Sequence, residues 1–156
     1  MSSEPIAEQL IQLIRGGNAH VTFENATKDI PFEKVGVQPP GLPYSIWMLV
    51  EHIRIAQADI LEFSINSNYK PLKWPDEYWP VEKAFTRNDW QKSCEQVVND
   101  SEQFINLITR TDVDLFTPFE HGEGQNLFRE ALLIADHTSY HTGQIILIRR
   151  MLGEWS

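Results

Sequence analysis

The sequence has 156 residues, of which 42% are hydrophobic, and this length and composition are typical of one domain with a well-formed core. Its 22 acidic residues outnumber 13 basic ones and give a formal net charge of -9, which disfavours nucleic-acid binding as the main activity. The chain has no long uncharged apolar run and no signal-peptide pattern at its start. We therefore expect a cytoplasmic protein whose residues 1–156 form a single domain, with neither a membrane nor a nucleic acid as partner.

The first predicted helix begins near Glu4, where apolar residues recur at helical spacing. These residues are Ile6, Leu10, Leu13 and Ile14. Gly16 and Gly17 interrupt the pattern, because a glycine pair lowers the stability of a helix. The pattern that follows is compatible with the helix resuming to about Lys28. Residues 29–43 are rich in proline and are predicted to be irregular.

The second predicted helix begins at residues 43–45 and ends near Asn66. One of its faces carries, at spacings of three and four, Leu49, His52, Ala56, Ile60 and Phe63. Residues 69–87 then form a long connection, because three prolines forbid a regular helix there. This connection is unusually aromatic, with Tyr69, Trp74, Tyr78 and Trp79. The aromatic side chains are predicted to pack on the outside of the helices, to wall a pocket, or to do both.

The third predicted helix begins near Asn88, whose side chain is expected to cap it together with Gln91 three residues on. It ends near Arg110. Cys94, the single cysteine, lies on the apolar stripe of this helix and forms no internal disulfide. We predict that it is a packed small side chain rather than a nucleophile.

The fourth predicted helix begins near Asn126 and runs to Leu152, with Gly153 at its end as a natural C-cap. The chain therefore has four amphipathic segments and almost no strand pattern. Together these features predict an all-α fold, a four-helix bundle with long crossover connections rather than a simple up-down bundle with short loops.

Three histidines fall at inward-facing positions of two predicted helices. His137 and His141 are four residues apart in A-D-H-T-S-Y-H-T-G-Q, which puts both imidazoles about 6 Å apart on one side of a helix. His52 interrupts the apolar stripe of the second helix. An imidazole facing a core is hydrogen bonded, protonated at a cost, or bound to metal. A hydrogen bond explains any one of them alone, whereas all three together favour a shared metal site.

The spacing of these histidines excludes two known metal motifs. The zincin signature H-E-x-x-H requires Glu where Thr138 stands. Di-iron bundles require E-x-x-H pairs, and the remaining histidines, His20 and His121, provide none. The predicted site is thus mononuclear, with three imidazole ligands and open positions for water or substrate. His121 precedes the fourth helix in a polar turn and is expected to be exposed.

Two segments of the chain resemble the DinB-like (DNA-damage-inducible) superfamily of four-helix bundles. They are P-P-G-L-P-Y-S-I-W-M-L-V-E-H-I-R-I-A-Q and A-D-H-T-S-Y-H-T-G-Q-I-I-L-I-R-R-M-L-G. In that superfamily a histidine on helix two and an H-x-x-x-H pair on helix four bind a divalent metal ion, often zinc or nickel. The matching residues here are His52, His137 and His141. The resemblance also implies relatives that are bacillithiol-dependent or mycothiol-dependent transferases, and a homodimer.

Several side chains near the predicted ligands have more than one possible role. Glu51 and Asp136 each adjoin a ligand in sequence but point about 100° away, so they are expected to be solvated or to hydrogen bond to a histidine. Gln144 lies one turn beyond His141 and either contacts a bound species or makes a structural hydrogen bond. Three further side chains are candidates for lining the pocket or for packing: Tyr44, Tyr140 and His20.

Two functions follow as alternatives. The first is a metal-dependent enzyme that activates a low-molecular-weight thiol or water, as an S-transferase or a hydrolase. The second is a non-catalytic metal-binding or stress-response module. The number of protein ligands separates them, because a catalytic site keeps a position open and a structural site is closed by four protein ligands.

Overall fold

The computed structural model describes residues 4–81 and 85–155, and all regular secondary structure in these ranges is helical. The helices are α1 (Glu4–Arg15), α2 (Phe23–Thr27), α3 (Phe32–Val35), α4 (Ile46–Ile65), α5 (Arg87–Ile108) and α6 (Leu127–Met151), with a 3₁₀ turn at Asp76–Tyr78. The predicted all-α class is confirmed for these residues. Two short helices, α2 and α3, add to the four that the sequence predicted. Residues 82–84 of the predicted aromatic connection lie outside the described residues.

The first helix does not resume after the glycine pair. Gly16 and Gly17 take φ angles of 71° and 85°, in the left-handed region where glycine is favoured, and the chain leaves the helix there. The separate helix α2 begins after Thr22, whose hydroxyl accepts a hydrogen bond from the backbone N–H of Asn25. The segment predicted to be irregular likewise contains the single-turn helix α3, which buries Val35.

Helix α5 begins one residue before the predicted cap, and its N-cap is Thr86 rather than Asn88. The Thr86 hydroxyl accepts from the backbone N–H of Asp89, and the Asp89 carboxylate accepts from the backbone N–H of Thr86. This reciprocal pair satisfies two backbone donors at once. The predicted cap with Gln91 was therefore wrong, because a second capping pair lies two residues earlier.

Helices α4 and α6 begin and end close to the predicted residues. The Ser45 hydroxyl accepts from the backbone N–H of Met48 at the start of α4. The Asn126 side chain accepts from the backbone N–H of Arg129 at the start of α6. Gly153 follows the end of α6 with a φ of 75°, the left-handed conformation that ends many helices.

The four longer helices pack against one another around apolar side chains. Helix α4 contacts α5 and α6, while α1 contacts the same two helices. Fully buried side chains at these contacts include Leu49, Ile53, Phe104, Ile134 and Ile145. The direct contact between α4 and α6 determines which inward faces meet. Among the described residues, no helix combines the length and apolar character that crossing a membrane requires.

Candidate metal centre

The contact between α4 and α6 brings the three predicted ligands together. His52 lies within α4 and is only 3% exposed, while His141, on α6, is 7% exposed. His137 is partly buried one turn before His141. Their ring centroids are 4.8 Å apart for His52 and His137, 4.7 Å for His52 and His141, and 4.5 Å for His137 and His141.

One ring nitrogen from each histidine is available for a common ligand. The three possible ligand atoms all lie within 4.8 Å of one another. The Nε2 atoms of His52 and His137 are 3.0 Å apart. Two nitrogens bound to one tetrahedral zinc ion would be roughly 3.3 Å apart, since each zinc–nitrogen bond is about 2.0–2.1 Å long. The cluster is therefore of a size that suits a single ion.

Hydrogen bonds fix the protonated nitrogen of two of the rings. The Nδ1–H of His52 donates to the backbone carbonyl of Tyr78 at 2.7 Å. The Nδ1–H of His141 donates to the side-chain oxygen of Gln144 at 2.7 Å. Since both acceptors are carbonyl oxygens, each Nδ1 carries the hydrogen and each Nε2 keeps its lone pair. These two Nε2 atoms could therefore bind a metal ion, and their rings are oriented by partners of the kind found around metal sites.

His137 occupies the least satisfied position of the three. Its Nε2–H donates to His52 Nε2 in the metal-free arrangement, because His52 Nε2 carries a lone pair. Its Nδ1 is buried, and no described residue offers this atom a hydrogen-bond partner. To bind a metal ion through Nε2, His137 would carry its ring hydrogen on Nδ1. His137 therefore differs from its two neighbours because its Nδ1 has no hydrogen-bond partner among the described residues.

The surroundings of the cluster favour neutral imidazoles. Burial lowers the pKa of His52, although the hydrogen bond to the Tyr78 carbonyl opposes this. Burial also lowers the pKa of His141, against the hydrogen bond with Gln144. For His137, burial and the two neighbouring histidines lower the pKa to about 3. Neutral imidazoles are the form that binds a metal ion, so the metal-free cluster is already deprotonated at neutral pH.

Gln144 links the cluster to two tyrosines near the surface. While its oxygen accepts from His141, its amide nitrogen donates to the hydroxyl of Tyr44 at 3.0 Å and to that of Tyr140 at 3.3 Å. The Tyr140 ring also meets His141 edge-on at 4.9 Å. Both tyrosines thus contact the site through Gln144. The structural hydrogen bond predicted for Gln144 is confirmed, while its contact with a bound species stays a prediction.

The aromatic connection between α4 and α5 covers His52. The Trp79 ring stacks on the His52 ring with centroids 4.2 Å apart and planes 3° apart. The Trp79 ring is also nearly parallel to the Tyr44 ring, with centroids 6.3 Å apart. Trp74, by contrast, is 72% exposed. Trp79 therefore walls the site, as one of the two predicted roles requires, whereas the largely exposed Trp74 has neither predicted role.

Other candidate residues lie away from the cluster. Glu51 is buried, and its carboxylate accepts from Arg54 and from the Ser93 hydroxyl, so both of its predicted roles, solvation or a hydrogen bond to a histidine, were wrong. Asp136 is exposed, as one of its two predicted roles requires. His20 contacts Ser139 instead of lining the cluster.

Cys94 and His121 have the environments expected of them. Cys94 is a free, partly buried thiol that packs against the apolar core, and burial raises its pKa to about 12. A thiol with such a pKa is almost entirely protonated at neutral pH and is a poor nucleophile. His121 is exposed, and its Nε2 bonds to the backbone carbonyl of Phe63. Neither residue belongs to the cluster.

The residues present fit a divalent metal ion. Three neutral imidazoles converge, and two of them are oriented by carbonyl acceptors. Nitrogen ligands of this kind suit zinc and nickel. With three protein ligands from the described residues, such a site has room for a further ligand, which is the arrangement of catalytic rather than structural zinc sites.

Comparison of the chain with protein-family models, with curated proteins and with solved structures gave no match.

Proposed function

We propose that the chain is a metal-dependent enzyme in which His52, His137 and His141 hold a divalent ion, zinc or nickel. The single observation that carries this proposal is the convergence of the three imidazoles, whose ligand atoms lie within 4.8 Å of one another. A divalent ion in such a site supplies Lewis acidity, which makes a thiol or a water molecule a nucleophile near neutral pH.

The protein's own residues would orient and enclose the reacting groups. The Tyr78 carbonyl and Gln144 hold the rings of His52 and His141 so that their Nε2 atoms face inward. The Trp79 ring excludes water from one face of His52. Tyr44 and Tyr140 present hydroxyl groups beside Gln144, where a bound substrate would meet them. The sides of the site therefore combine aromatic surface with a few polar groups, as small-molecule sites do.

We further propose that the substrate includes a low-molecular-weight thiol, which makes the reaction an S-transfer, with a hydrolase as the related possibility. This step rests on the resemblance of the two histidine-bearing segments to the DinB-like superfamily. A four-helix bundle with long crossovers and a homodimer are part of the same proposal. The α-helical packing of α1, α4, α5 and α6 supports it without identifying the superfamily.

Metal analysis followed by a thiol-dependence assay tests the proposal. Metal-free protein is titrated with Zn²⁺ and with Ni²⁺, and the loaded protein is then incubated with a panel of thiols and an electrophile such as 1-chloro-2,4-dinitrobenzene. The proposal expects one ion per chain and product formation that requires both metal and thiol. A matched control is His121→Ala, which removes an exposed imidazole outside the cluster. Binding of one ion without any turnover across thiols and esters would favour the non-catalytic module instead.

A further inference from the structure

Asp59 lies on α4 seven residues after His52, which places both side chains on the same side of the helix two turns apart. Its two carboxylate oxygens bind two tyrosines of the following connection. Oδ1 accepts from the Tyr69 hydroxyl at 2.8 Å, and Oδ2 accepts from the Tyr78 hydroxyl at 2.6 Å. Hydrogen bonds to an ionised carboxylate are shorter and stronger than neutral ones. Asp59 thus ties the connection to α4 at two points.

Tyr78 is bound to α4 through both its side chain and its backbone. Its hydroxyl donates to Asp59, and its carbonyl accepts from the Nδ1–H of His52 at 2.7 Å. The next residue, Trp79, stacks on the His52 ring. The position of the carbonyl that orients His52 therefore depends on how firmly the Tyr78 side chain is held.

The part of the connection between the two tyrosines is held mainly by its own atoms. The backbone N–H of Glu77 donates to the Lys73 carbonyl, and the backbone N–H of Lys73 donates to the Glu77 carboxylate. Trp74 is exposed to solvent. These contacts shape the turn without attaching it to the helices. Among the described residues, α4 holds the connection through Asp59, through the Phe63 ring, which meets the Tyr69 ring edge-on at 5.1 Å, and through His52 beneath Trp79.

We propose that Asp59 is a positioning residue for the metal centre, acting on His52 through Tyr78. By holding the Tyr78 side chain, Asp59 keeps the Tyr78 carbonyl on His52 Nδ1 and so keeps the lone pair on Nε2, facing His137 and His141. The inference rests on the proposed function, since it concerns the orientation of a metal ligand. Partners of metal-bound histidines typically change metal affinity by about 10–100-fold when they are lost. Asp59 acts one residue further out, so we expect the lower end of this range.

The test uses two measurements on the full chain. The first is the nitrogen-15 NMR spectrum of the His52 ring in metal-free protein, which reports which ring nitrogen carries the hydrogen. The second is the dissociation constant for Zn²⁺, from competition with a chromophoric chelator. In Asp59→Ala we expect a mixture of His52 tautomers and a dissociation constant raised on the order of tenfold. Asp59→Asn can still accept from one tyrosine and donate to the other, so it should give an intermediate value.

Two further variants show whether the effect passes through Tyr78. Tyr78→Phe removes one hydroxyl and should reproduce most of the effect of Asp59→Ala. The variant that carries both substitutions should bind Zn²⁺ no more weakly than Asp59→Ala alone. Glu62→Ala is the matched control on the same helix, because the Glu62 carboxylate is exposed and accepts from Asn66 rather than from the connection. If Asp59→Ala fails to fold by circular dichroism, Tyr78→Phe alone decides the question.

The outcomes separate this inference from the proposed function. An unchanged His52 tautomer and an unchanged dissociation constant in both Asp59→Ala and Tyr78→Phe would overturn the role of Asp59 while leaving the metal site intact. An effect of Glu62→Ala as large as that of Asp59→Ala would also overturn it. If the wild-type chain binds no metal, the proposed function fails, and the tautomer of His52 in metal-free protein still decides whether Asp59 positions the ring.

Discussion

Replacing Gln144 by Leu tests whether the orientation of His141 matters for the site. Leu is similar in size but offers no acceptor, so the Nδ1–H of His141 loses its 2.7 Å hydrogen bond in a position where the ring is 7% exposed. A buried donor left without a partner destabilises the folded state by about 1–3 kcal/mol. We therefore expect the metal-free variant to lose that much unfolding free energy.

The same substitution should weaken metal binding. Loss of the group that orients a ligand histidine lowers metal affinity by about 10–100-fold. Since a tenfold change corresponds to about 1.4 kcal/mol, the two effects are similar in size and are measured separately. Urea denaturation of metal-free protein gives the loss of unfolding free energy. Titration of folded protein with Zn²⁺ in the presence of a competing chelator gives the loss of metal affinity.

Gln144→Glu and Tyr140→Phe are the matched controls. Glu keeps an oxygen acceptor for His141 and should retain wild-type affinity for Zn²⁺ or bind more tightly. Tyr140→Phe removes only the longer 3.3 Å bond to the Gln144 amide and should change little. Wild-type affinity in Gln144→Leu would refute the orienting role. If Gln144→Glu loses as much Zn²⁺ affinity as Gln144→Leu, the amide group itself matters rather than its acceptor oxygen.

Three further predictions concern stability and reactivity. Asp100 is 5% exposed, and one of its carboxylate oxygens has no partner among the described residues. Because burial raises the pKa of this carboxyl, Asp100→Asn should raise the free energy of unfolding at pH 7 by about 1 kcal/mol, measured by urea denaturation. Because the pKa of Asp100 is higher in the folded than in the unfolded state, the stability gain of Asp100→Asn should be complete above the folded-state pKa. The gain should shrink as the pH falls towards about 3.9, the ordinary pKa of Asp, and a gain independent of pH would contradict the raised pKa of Asp100. Burial raises the pKa of the Cys94 thiol to about 12, so iodoacetamide at pH 8 should alkylate native protein far more slowly than urea-unfolded protein, as followed by mass spectrometry, and equal rates would contradict its burial. Free Zn²⁺ at one hundred times the dissociation constant should raise the unfolding free energy by about 2.7 kcal/mol and EDTA should reverse this, whereas a melting temperature indifferent to both would contradict native-state metal binding.

The sequence predicted the convergence of the three histidines better than the surroundings of the cluster. Spacing of four places His137 and His141 on one side of a helix whatever the tertiary structure, and the inward face of the second helix identifies His52. The carbonyl of Tyr78 could not be predicted, since every residue has a carbonyl and its position depends on the whole connection. The sequence identified Trp79 as one residue of an aromatic segment. No periodicity in that segment indicates which aromatic residue reaches the site.

The incorrect local predictions also arise where the outcome is decided by parts of the chain outside the local sequence pattern. Thr86 and Asp89 form a capping pair as good in sequence as the one predicted two residues later, and only the course of the preceding chain selects between them. The glycine pair at Gly16 and Gly17 was recognised as an interruption, but glycine spacing alone does not decide whether a helix kinks and resumes or ends, as α1 does here. Glu51 was expected to be solvated or to hydrogen bond to a histidine. It is buried with Arg54 and Ser93 as its partners instead, and no sequence pattern specifies that pairing.

The measurement that tests the central claim most directly is the metal content per chain of His52→Ala, His137→Ala and His141→Ala, with His121→Ala as control. If the three clustered histidines share one ion, losing any one leaves two ligands, so each of the three variants should lose metal to a similar extent, while His121→Ala keeps the wild-type content. His52 is 85 residues from His137 in sequence, so no local effect on α6 links the two losses. Full metal content in His52→Ala together with loss in His137→Ala would contradict the shared site.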